Sequence, residues 1–186
     1  MAADAESLLR QAGAVLEGHF QLASGLHSGL YIEKFRLLER PPQTDALCRM
    51  IADWAARELS PSLVAGPTTG GVIISYEVAR HLGLRSIFAE RDEGGGRGLQ
   101  RGFRVAPGER VLVVDDVLTT GGSIRDVLDA VRALGGEPVG VGVLIDRSGG
   151  QVDFGVPLFG CLALDLPAYA PGDCPLCEQG LPLTVT

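Results

Sequence analysis

The stretch Val111-Leu-Val-Val-Asp-Asp-Val-Leu-Thr-Thr-Gly-Gly-Ser123 decides how the rest of the chain is arranged. Its first four residues, 111–114, are all apolar, which is typical of a strand that is buried on both faces of a sheet. Apolar residues then recur at helical spacing between Ile124 and Leu134. We therefore predict a buried strand, a loop of hydroxyl-bearing and glycine residues, and a helix.

The loop of this unit has the composition of an anion site. Glycines let the backbone approach a ligand closely, and the helix that follows presents free N–H groups and the positive end of its dipole. The residues that would hold a phosphate are Thr119, Thr120, Gly121, Gly122 and Ser123. The alternative is a strand–turn–helix without a ligand.

Asp115 and Asp116 precede this loop, and they cannot bind a phosphate because like charges repel. Two adjacent carboxylates can instead accept hydrogen bonds from a vicinal diol or contribute to a Mg²⁺ shell. A diol site beside a phosphate site describes a sugar phosphate. The stretch lacks both the Gly-Lys-Ser/Thr ending of a nucleotide-triphosphate loop and the three-glycine dinucleotide fingerprint.

The composition of the whole chain indicates a soluble globular protein. Its 186 residues suit one domain, with 46% hydrophobic and 21% charged residues. The net charge of −7 disfavours a general nucleic-acid or anionic-membrane binder. Apolar runs stay well below the roughly 18–20 residues of a membrane span, and the first residues do not resemble a signal peptide. We expect a cytoplasmic protein that binds neither nucleic acid nor membrane.

Residues 111–123 resemble the phosphoribosyl pyrophosphate (PRPP) signature of type I phosphoribosyltransferases. The resemblance implies an α/β fold with a mostly parallel central sheet, helices on both faces and a small N-terminal hood. It also implies a homodimer, and Mg²⁺ that is held mainly through PRPP. The resemblance further implies that PRPP is bound by Asp115, Asp116, Val117, Leu118 and the loop 119–123. Of these residues, the two acids would hold the ribose hydroxyls and be catalytic.

Two more segments match the family in position. A short buried strand at 63–67 is followed by Thr68, Thr69 and Gly70, which match the loop that holds the pyrophosphate leaving group through backbone amides. A strand at 86–90 leads to Arg91, which matches an arginine that contacts PRPP in the family.

Residues 91–104 combine three successive glycines with charged side chains, which predicts a mobile loop. In the family such a loop brings Lys and His to the pyrophosphate, often in the neighbouring subunit's site. Here it offers only Arg97, Arg101 and Arg104. Arginine can stabilise pyrophosphate charge but cannot act as a general acid at neutral pH. Arg101 is our candidate for the catalytic role, and Arg97 and Arg104 stay open for it. A solvated charged loop is the alternative for Arg97 and Arg101.

The resemblance also points to the substrate base. The segment 18–34 resembles the hood of orotate phosphoribosyltransferases, and Arg147 follows a buried strand where those enzymes place an arginine that pairs with the base carboxylate. Thr119 would orient the base together with Arg147, for which a salt-bridged surface arginine is the alternative. The implied reaction converts orotate and PRPP to orotidine 5′-monophosphate and pyrophosphate in pyrimidine synthesis. A transferase for another base, such as a purine, and a non-catalytic PRPP or nucleotide sensor stay open.

The hood departs from the family pattern at one position. Several members carry a lysine just before the Ser-Gly pair of the hood, where this chain has Ala23. Lys34 is a candidate to supply the missing charge, and a surface lysine is the alternative. His19 and His27 lack metal-ligand spacing with cysteines or acids, so we interpret them as structural or surface residues.

We expect one domain over residues 1–186. Its predicted parts are an N-terminal helix at 4–15, a hairpin-like hood at 18–36, a core at 43–166 that starts with a helix at 43–58 and closes with a strand between 154 and 166, and a tail at 167–186.

The tail contains Cys174-Pro-Leu-Cys177, which is half of a zinc-ribbon pattern. The other half is missing, because Cys48 and Cys161 are isolated in a predicted helix and a predicted strand. Our interpretation is that all four cysteines are reduced and structural. A zinc site shared between subunits and a local disulfide stay open.

Overall fold

A computed structural model describes residues 4–22, 24–164 and 166–186, so the departure noted at Ala23 lies outside the described residues. The helices are α1 Ala5–Gln11, α2 Lys34–Leu38, α3 Pro41–Glu58, α4 Gly70–Leu82, α5 Gly122–Ala133 and α6 Pro175–Glu178. The strands are β1 Val15–Gln21, β2 His27–Ile32, β3 Leu63–Pro67, β4 Arg85–Arg91, β5 Arg97–Leu99, β6 Arg110–Leu118, β7 Glu137–Asp146, β8 Leu158–Ala163, β9 Ala168–Tyr169 and β10 Thr184–Val185. Of the helices within these ranges, none combines the length and the apolar character needed to cross a membrane.

The larger of the two sheets has six strands in the order β5-β4-β3-β6-β7-β8. All neighbouring pairs are parallel except β4 with β5. The predicted mostly parallel α/β sheet is confirmed, and β6 lies inside it between β3 and β7. The carboxyl ends of β3, β4, β6 and β7 therefore meet at one edge.

Alternation along β6 builds a core on each face of this sheet. Val111 and Val113 pack with the apolar stripe of α5, whereas Leu112 and Val114 pack with buried residues of α3 and α4. All four β6 side chains are fully buried, and each contributes about 1.5–3 kcal/mol relative to an exposed side chain. The predicted burial on both faces follows from having helices above and below the strand.

The second sheet, which we call the hood, has four strands in the order β10-β1-β2-β9. Its centre is the predicted antiparallel hairpin of β1 and β2. The tail adds both outer strands, because β9 pairs antiparallel with β2 and β10 pairs parallel with β1. This use of the tail was not predicted, since strands of two residues carry no periodicity.

Two predicted helix boundaries differ from the structure at the start of the chain. The predicted helix 4–15 is too long, since α1 ends at Gln11, the chain turns at Gly13 with φ +67°, and Val15 begins β1. The helix predicted at 43–58 begins earlier, at Pro41, because proline fits the first turn of a helix, where its missing N–H costs nothing.

The strands near the predicted site also run further than expected. β6 continues to Leu118, so Asp115 and Asp116 lie within the strand rather than after it. The predicted mobile loop 91–104 contains β5, which pairs with the end of β4 in a hairpin. Asp92 closes the turn of this hairpin, because its carboxylate accepts a hydrogen bond of 3.0 Å from the N–H of Gly96.

Candidate active site

Three adjoining cavities lie at the carboxyl edge of the central sheet, where open α/β sheets bind ligands. The loop cavity, of about 230 Å³, lies between β6 and the start of α5. The acidic cavity, of about 530 Å³, lies over Asp115 and Asp116, and the hood cavity, of about 930 Å³, lies between the hood and Arg147. Thr119 lines all three, so ligands in neighbouring cavities would touch.

The loop cavity contains the predicted phosphate-binding residues. Gly121 is the N-cap of α5 with φ +79°, a left-handed conformation that other residues rarely adopt. Because glycine has no side chain to cap a helix, the first N–H groups of α5 stay available to an anion. The predicted residues that line this cavity are Asp115, Val117, Thr119, Thr120, Gly121, Gly122 and Ser123.

Leu118 is the one predicted PRPP residue that lines none of these cavities. Its side chain is 1% exposed and packs in the core beside α5. Its carbonyl accepts a hydrogen bond of 2.8 Å from the N–H of Arg147. Leu118 thus positions Arg147, at the wall of the hood cavity, relative to the end of β6, which lines the loop cavity.

Asp115 and Asp116 form a buried acidic pair, at 8% and 4% exposure. Asp115 Oδ1 accepts a hydrogen bond of 2.8 Å from the N–H of Asp116, and Asp116 Oδ1 accepts one of 2.7 Å from the N–H of Val117. Burial, followed by the neighbouring charge of Asp116, raises the pKa of Asp115 to about 7. The free pair therefore takes up a proton near neutral pH, and a positive ligand charge would favour its release.

Lys34 is a site residue that the sequence alone left open as a surface lysine. Its Nζ lies 3.0 Å from both carboxylate oxygens of Asp116, and it lines the acidic cavity. The contact to Oδ2 is not a well-directed hydrogen bond, and among the described residues that oxygen has no other donor. One signal could have found Lys34, since it is the only lysine among the 16 basic residues of the chain.

The predicted pyrophosphate loop lies directly against the acidic pair. Thr68, Thr69 and Gly70 line the acidic cavity, and the Thr68–Thr69 peptide bond is cis. A Cβ at Gly70 would lie 1.7 Å from Asp116 Oδ2, so only glycine fits there. Since α4 begins at Gly70 without a side-chain cap from Thr69, its first N–H groups face the same cavity edge.

The loop arginines occupy different places. Arg91 and Arg97 line the acidic cavity. Arg97 lies between the two glycine-containing loops, because its guanidinium donates to Thr68 Oγ1 at 3.0 Å and to Ser123 Oγ at 3.4 Å. Arg101 does not line the cavity and instead forms two hydrogen bonds of 2.7 Å with the carboxylate of Glu90.

The hood cavity places Arg147 opposite Tyr31 of β2, which sequence reasoning did not single out as a site residue. Burial lowers the pKa of the Arg147 guanidinium, while nearby Tyr31 opposes that shift. Across residues 4–22, 24–164 and 166–186, no carboxylate forms an ion pair with Arg147. A half-buried arginine without an acidic partner is suited to an anionic ligand.

The arrangement offers distinct chemistry in each cavity. Backbone N–H groups and hydroxyls in the loop cavity suit a phosphate. Three cationic side chains line the acidic cavity and suit a second anionic group, and they are Lys34, Arg91 and Arg97. The acidic pair between them suits hydroxyl donors or a hydrated Mg²⁺, which binds through one or two carboxylates together with ligand phosphates. The donor set therefore fits a Mg²⁺ that arrives with a phosphorylated ligand.

The chain is similar to known phosphoribosyltransferases. The phosphoribosyl transferase domain family matches residues 37–154. The chain is 51% identical to the orotate phosphoribosyltransferase of Pelotomaculum thermopropionicum, over 95% of this chain and 92% of that protein. It is equally identical to the one from Thermotoga maritima, over 95% and 94%. The solved orotate phosphoribosyltransferase of Aeropyrum pernix superposes with a TM-score of 0.73 at 30% identity, over 86% of this chain and 93% of that one.

Proposed function

Because the chain belongs to the phosphoribosyl transferase family and catalyses the orotate phosphoribosyltransferase reaction, we propose that its three cavities together bind PRPP and orotate. The 5-phosphate of PRPP occupies the loop cavity, the ribose and pyrophosphate occupy the acidic cavity, and orotate occupies the hood cavity. The observation that carries this placement is the continuity of the cavities through Thr119 and Asp115.

The ribose 5-phosphate is held at both ends of the sugar. The N–H groups at the start of α5 and the hydroxyls of Thr119, Thr120 and Ser123 bind the phosphate. Asp115 and Asp116 accept hydrogen bonds from the 2- and 3-hydroxyls. Asp116 Oδ2 is available for this, because among the described residues no group donates a well-directed hydrogen bond to it. Arg91 and the loop of Thr68 to Gly70 bind the pyrophosphate.

Orotate enters the hood cavity already as an anion. Its carboxylate pairs with Arg147, and Thr119 with Tyr31 and neighbouring hood groups orients the ring toward the sugar. The attacking ring nitrogen loses the proton that it carries in orotate, and this proton passes to the departing pyrophosphate or to water. The bond from the sugar C1 to pyrophosphate breaks with its electrons on the leaving oxygen, and the bond from C1 to the orotate nitrogen forms.

The acidic pair favours the transition state electrostatically. Positive charge grows on the ribose as pyrophosphate leaves, and two nearby carboxylates stabilise that charge in a site that excludes much of the water. Mg²⁺ supplies charge neutralisation to the leaving pyrophosphate when it is bound with PRPP. Lys34 orients Asp116 through its ion pair, while the raised pKa of Asp115 lets that carboxyl release its proton near neutral pH.

Two arginines share the leaving group in this proposal. Arg97 contacts the pyrophosphate in the ground state, because it already lines the cavity. Arg101 remains our candidate for the catalytic loop arginine, and it reaches the pyrophosphate only when it leaves Glu90. Because the two arginines contact the pyrophosphate at different stages, we expect substitutions at Arg97 and Arg101 to cause different kinetic defects.

We also propose that the protein is a cytoplasmic homodimer. An apolar cleft of about 690 Å³ runs beside α3 and α4, and two large apolar side chains that line it are exposed, Tyr76 at 65% and Ile73 at 42%. A second copy of the chain would bury this face. None of the four cysteines, all of which the structure describes, forms a disulfide, which suits a reducing cytoplasm.

The decisive experiment follows orotate absorbance with PRPP and Mg²⁺, against controls that lack each one. We expect a loss of absorbance that requires both, and no product from adenine, guanine or hypoxanthine. PRPP binding without turnover of orotate would overturn the placement of the base and support the sensor alternative instead.

A further inference from the structure

Two histidines of the hood and two cysteines of the tail converge on one point outside the active site. One ligand atom from each of His19, His27, Cys174 and Cys177 lies within 4.8 Å of all the others. We propose that these four side chains bind a structural zinc ion. Two thiolates and two neutral imidazoles around Zn²⁺ give a set without net charge, which suits its buried position.

The distances within the cluster match the edges of a zinc tetrahedron. Zinc–nitrogen bonds of about 2.0–2.1 Å and zinc–sulfur bonds of about 2.3 Å give edges of about 3.3 Å between nitrogens and about 3.6 Å between nitrogen and sulfur. His19 Nε2 and His27 Nδ1 are 3.0 Å apart. Cys174 Sγ lies 3.5 Å from His19 Nε2, and Cys177 Sγ lies 3.7 Å from it and 3.3 Å from His27 Nδ1.

Hydrogen bonding alone does not account for this convergence. His19 Nδ1 lies 2.9 Å from the carbonyl of Leu181, which can only accept, so Nδ1 carries the proton and Nε2 carries one lone pair. Three polar atoms nevertheless crowd that single lone pair, and a metal at the centre would satisfy all four ligands at once. The bond to Leu181 also fixes the tautomer and ring orientation of His19, as expected for a zinc-bound histidine.

The fold brings these residues together by two local devices. β1 carries an irregularity between Glu17 and Phe20, so His19 and Phe20 are buried in succession although neighbours in a regular strand alternate. The cysteines lie at either end of the first turn of α6, where the N–H of Cys177 donates to the carbonyl of Cys174 at 3.1 Å. His19 and Cys174 are separated by 155 residues, which explains why spacing did not reveal the site.

The cluster fastens the tail to the hood near the active site. The tail residues Ala168 and Thr186 line the hood cavity beside Tyr31. A metal that holds α6 against β1 and β2 therefore fixes one wall of that cavity. This functional consequence rests on the proposed base site, whereas the metal site itself does not.

The first test measures metal in the full chain, purified without a histidine tag under reducing conditions and analysed by inductively coupled plasma mass spectrometry. We expect about one zinc per chain, bound through thiolates. A mercurial reagent that binds these thiolates should release the zinc. Zinc content near zero that also fails to rise after dialysis against micromolar zinc would overturn the proposal. A Cys174–Cys177 disulfide found in that metal-free protein would overturn it as well.

Variants then assign the ligands. Cys177→Ser is the mildest because Cys177 is the exposed ligand, and we expect it and His27→Asn to lose most of the zinc. Cys161→Ser is the matched control, since Cys161 lies in β8 away from the cluster, and it should keep the metal. Substitution of cobalt gives a readout that does not depend on stability, because a thiolate-bound tetrahedral Co²⁺ has visible ligand-field and charge-transfer bands. Absence of those bands in the cobalt-loaded chain would contradict the assignment.

Kinetics separate this site from the proposed base site. Removal of zinc by a chelator should raise KM for orotate severalfold and leave KM for PRPP nearly unchanged, and added zinc should restore it. If zinc is present but its removal leaves both constants unchanged, the metal site stands and the link to the hood cavity fails. If zinc is absent while orotate turnover is normal, the metal site fails and the proposed function stands.

Discussion

The PRPP side of the site and the hood side are built in different ways. The PRPP side, at 67–71, 91–97 and 115–123, consists of short loops at the ends of adjacent parallel strands. The hood side joins residues 19–31 to residues 168–186 through pairing of short strands, and residues between 147 and 151 line the same cavity. Backbone amides at a strand end follow from local sequence, whereas side chains brought together across a sheet follow only from tertiary structure. If the two sides are built separately, a substitution on one side leaves ligand binding on the other side unchanged.

The largest effect is expected at Asp116. Asp116→Asn removes a carboxylate that we propose stabilises positive charge on the ribose, so kcat/KM for PRPP should fall about 100–1,000-fold. Initial rates over a range of PRPP concentrations measure this change. Asp129→Asn is the control, because Asp129 is an exposed acid on α5 that pairs with Arg132, and it should retain full activity. A variant at Asp116 with near-normal kinetics would remove the acidic pair from the mechanism.

A smaller and one-sided effect is expected at Arg147. Arg147→Met removes a charge-assisted hydrogen bond to the orotate carboxylate and should raise KM for orotate about 10–100-fold. KM for PRPP should stay within about twofold, because Arg147 lines only the hood cavity. Arg132→Met, at an exposed position of α5, serves as the control. Equal loss for both substrates would show that the two sides are not separable at this residue.

The loop arginines should show about tenfold effects of different kinds. Arg97→Met should raise KM for PRPP, because Arg97 lines the cavity in the free protein. Arg101→Met should lower kcat with little change in KM, because Arg101 must first leave Glu90. Glu90→Gln removes the same ion pair without removing the arginine. If Glu90→Gln reproduces the defect of Arg101→Met, the pair is structural and Arg101 is not catalytic.

The smallest effect concerns stability on the PRPP side. The pKa of Asp115 is about 7 in the folded chain and near 4 when unfolded, so ionisation destabilises the fold as pH rises through that window. Asp115→Asn should therefore raise the melting temperature by a few degrees at pH 8 and by almost nothing near pH 4. Thermal melts across pH without ligand measure this difference. Asp129→Asn should show no such pH dependence, and a gain that is constant with pH would contradict the assignment.

The predictability of each side from sequence follows the same division. The strand, the loop 119–123 and the acids could be predicted as one unit because they are contiguous in the sequence. The glycine at position 70 was predictable as part of a loop, but its contact with Asp116 was not, since it depends on how β3 and β6 pair.

The hairpin of the hood and Arg147 were predicted, but three other features on this side of the molecule were not, each for a physical reason. Lys34 reaches Asp116 from a helix of five residues, which is too short for a periodic pattern. β9 and β10 are strands of two residues that exist only because β1 and β2 provide edges for them. His19 is buried through an irregularity in β1, and no alternation pattern reveals such a position.

The late position of the tail in the chain has a consequence for synthesis on the ribosome. The central sheet and its PRPP loops are complete by residue 163, whereas β9, α6 and β10 all follow that residue. Because the N-terminal part of the chain leaves the ribosome first, we expect a nascent chain to contain its phosphate-binding loops before its base pocket is complete. During that interval the outer edges of the β1–β2 hairpin stay unpaired, and unpaired strand edges favour aggregation.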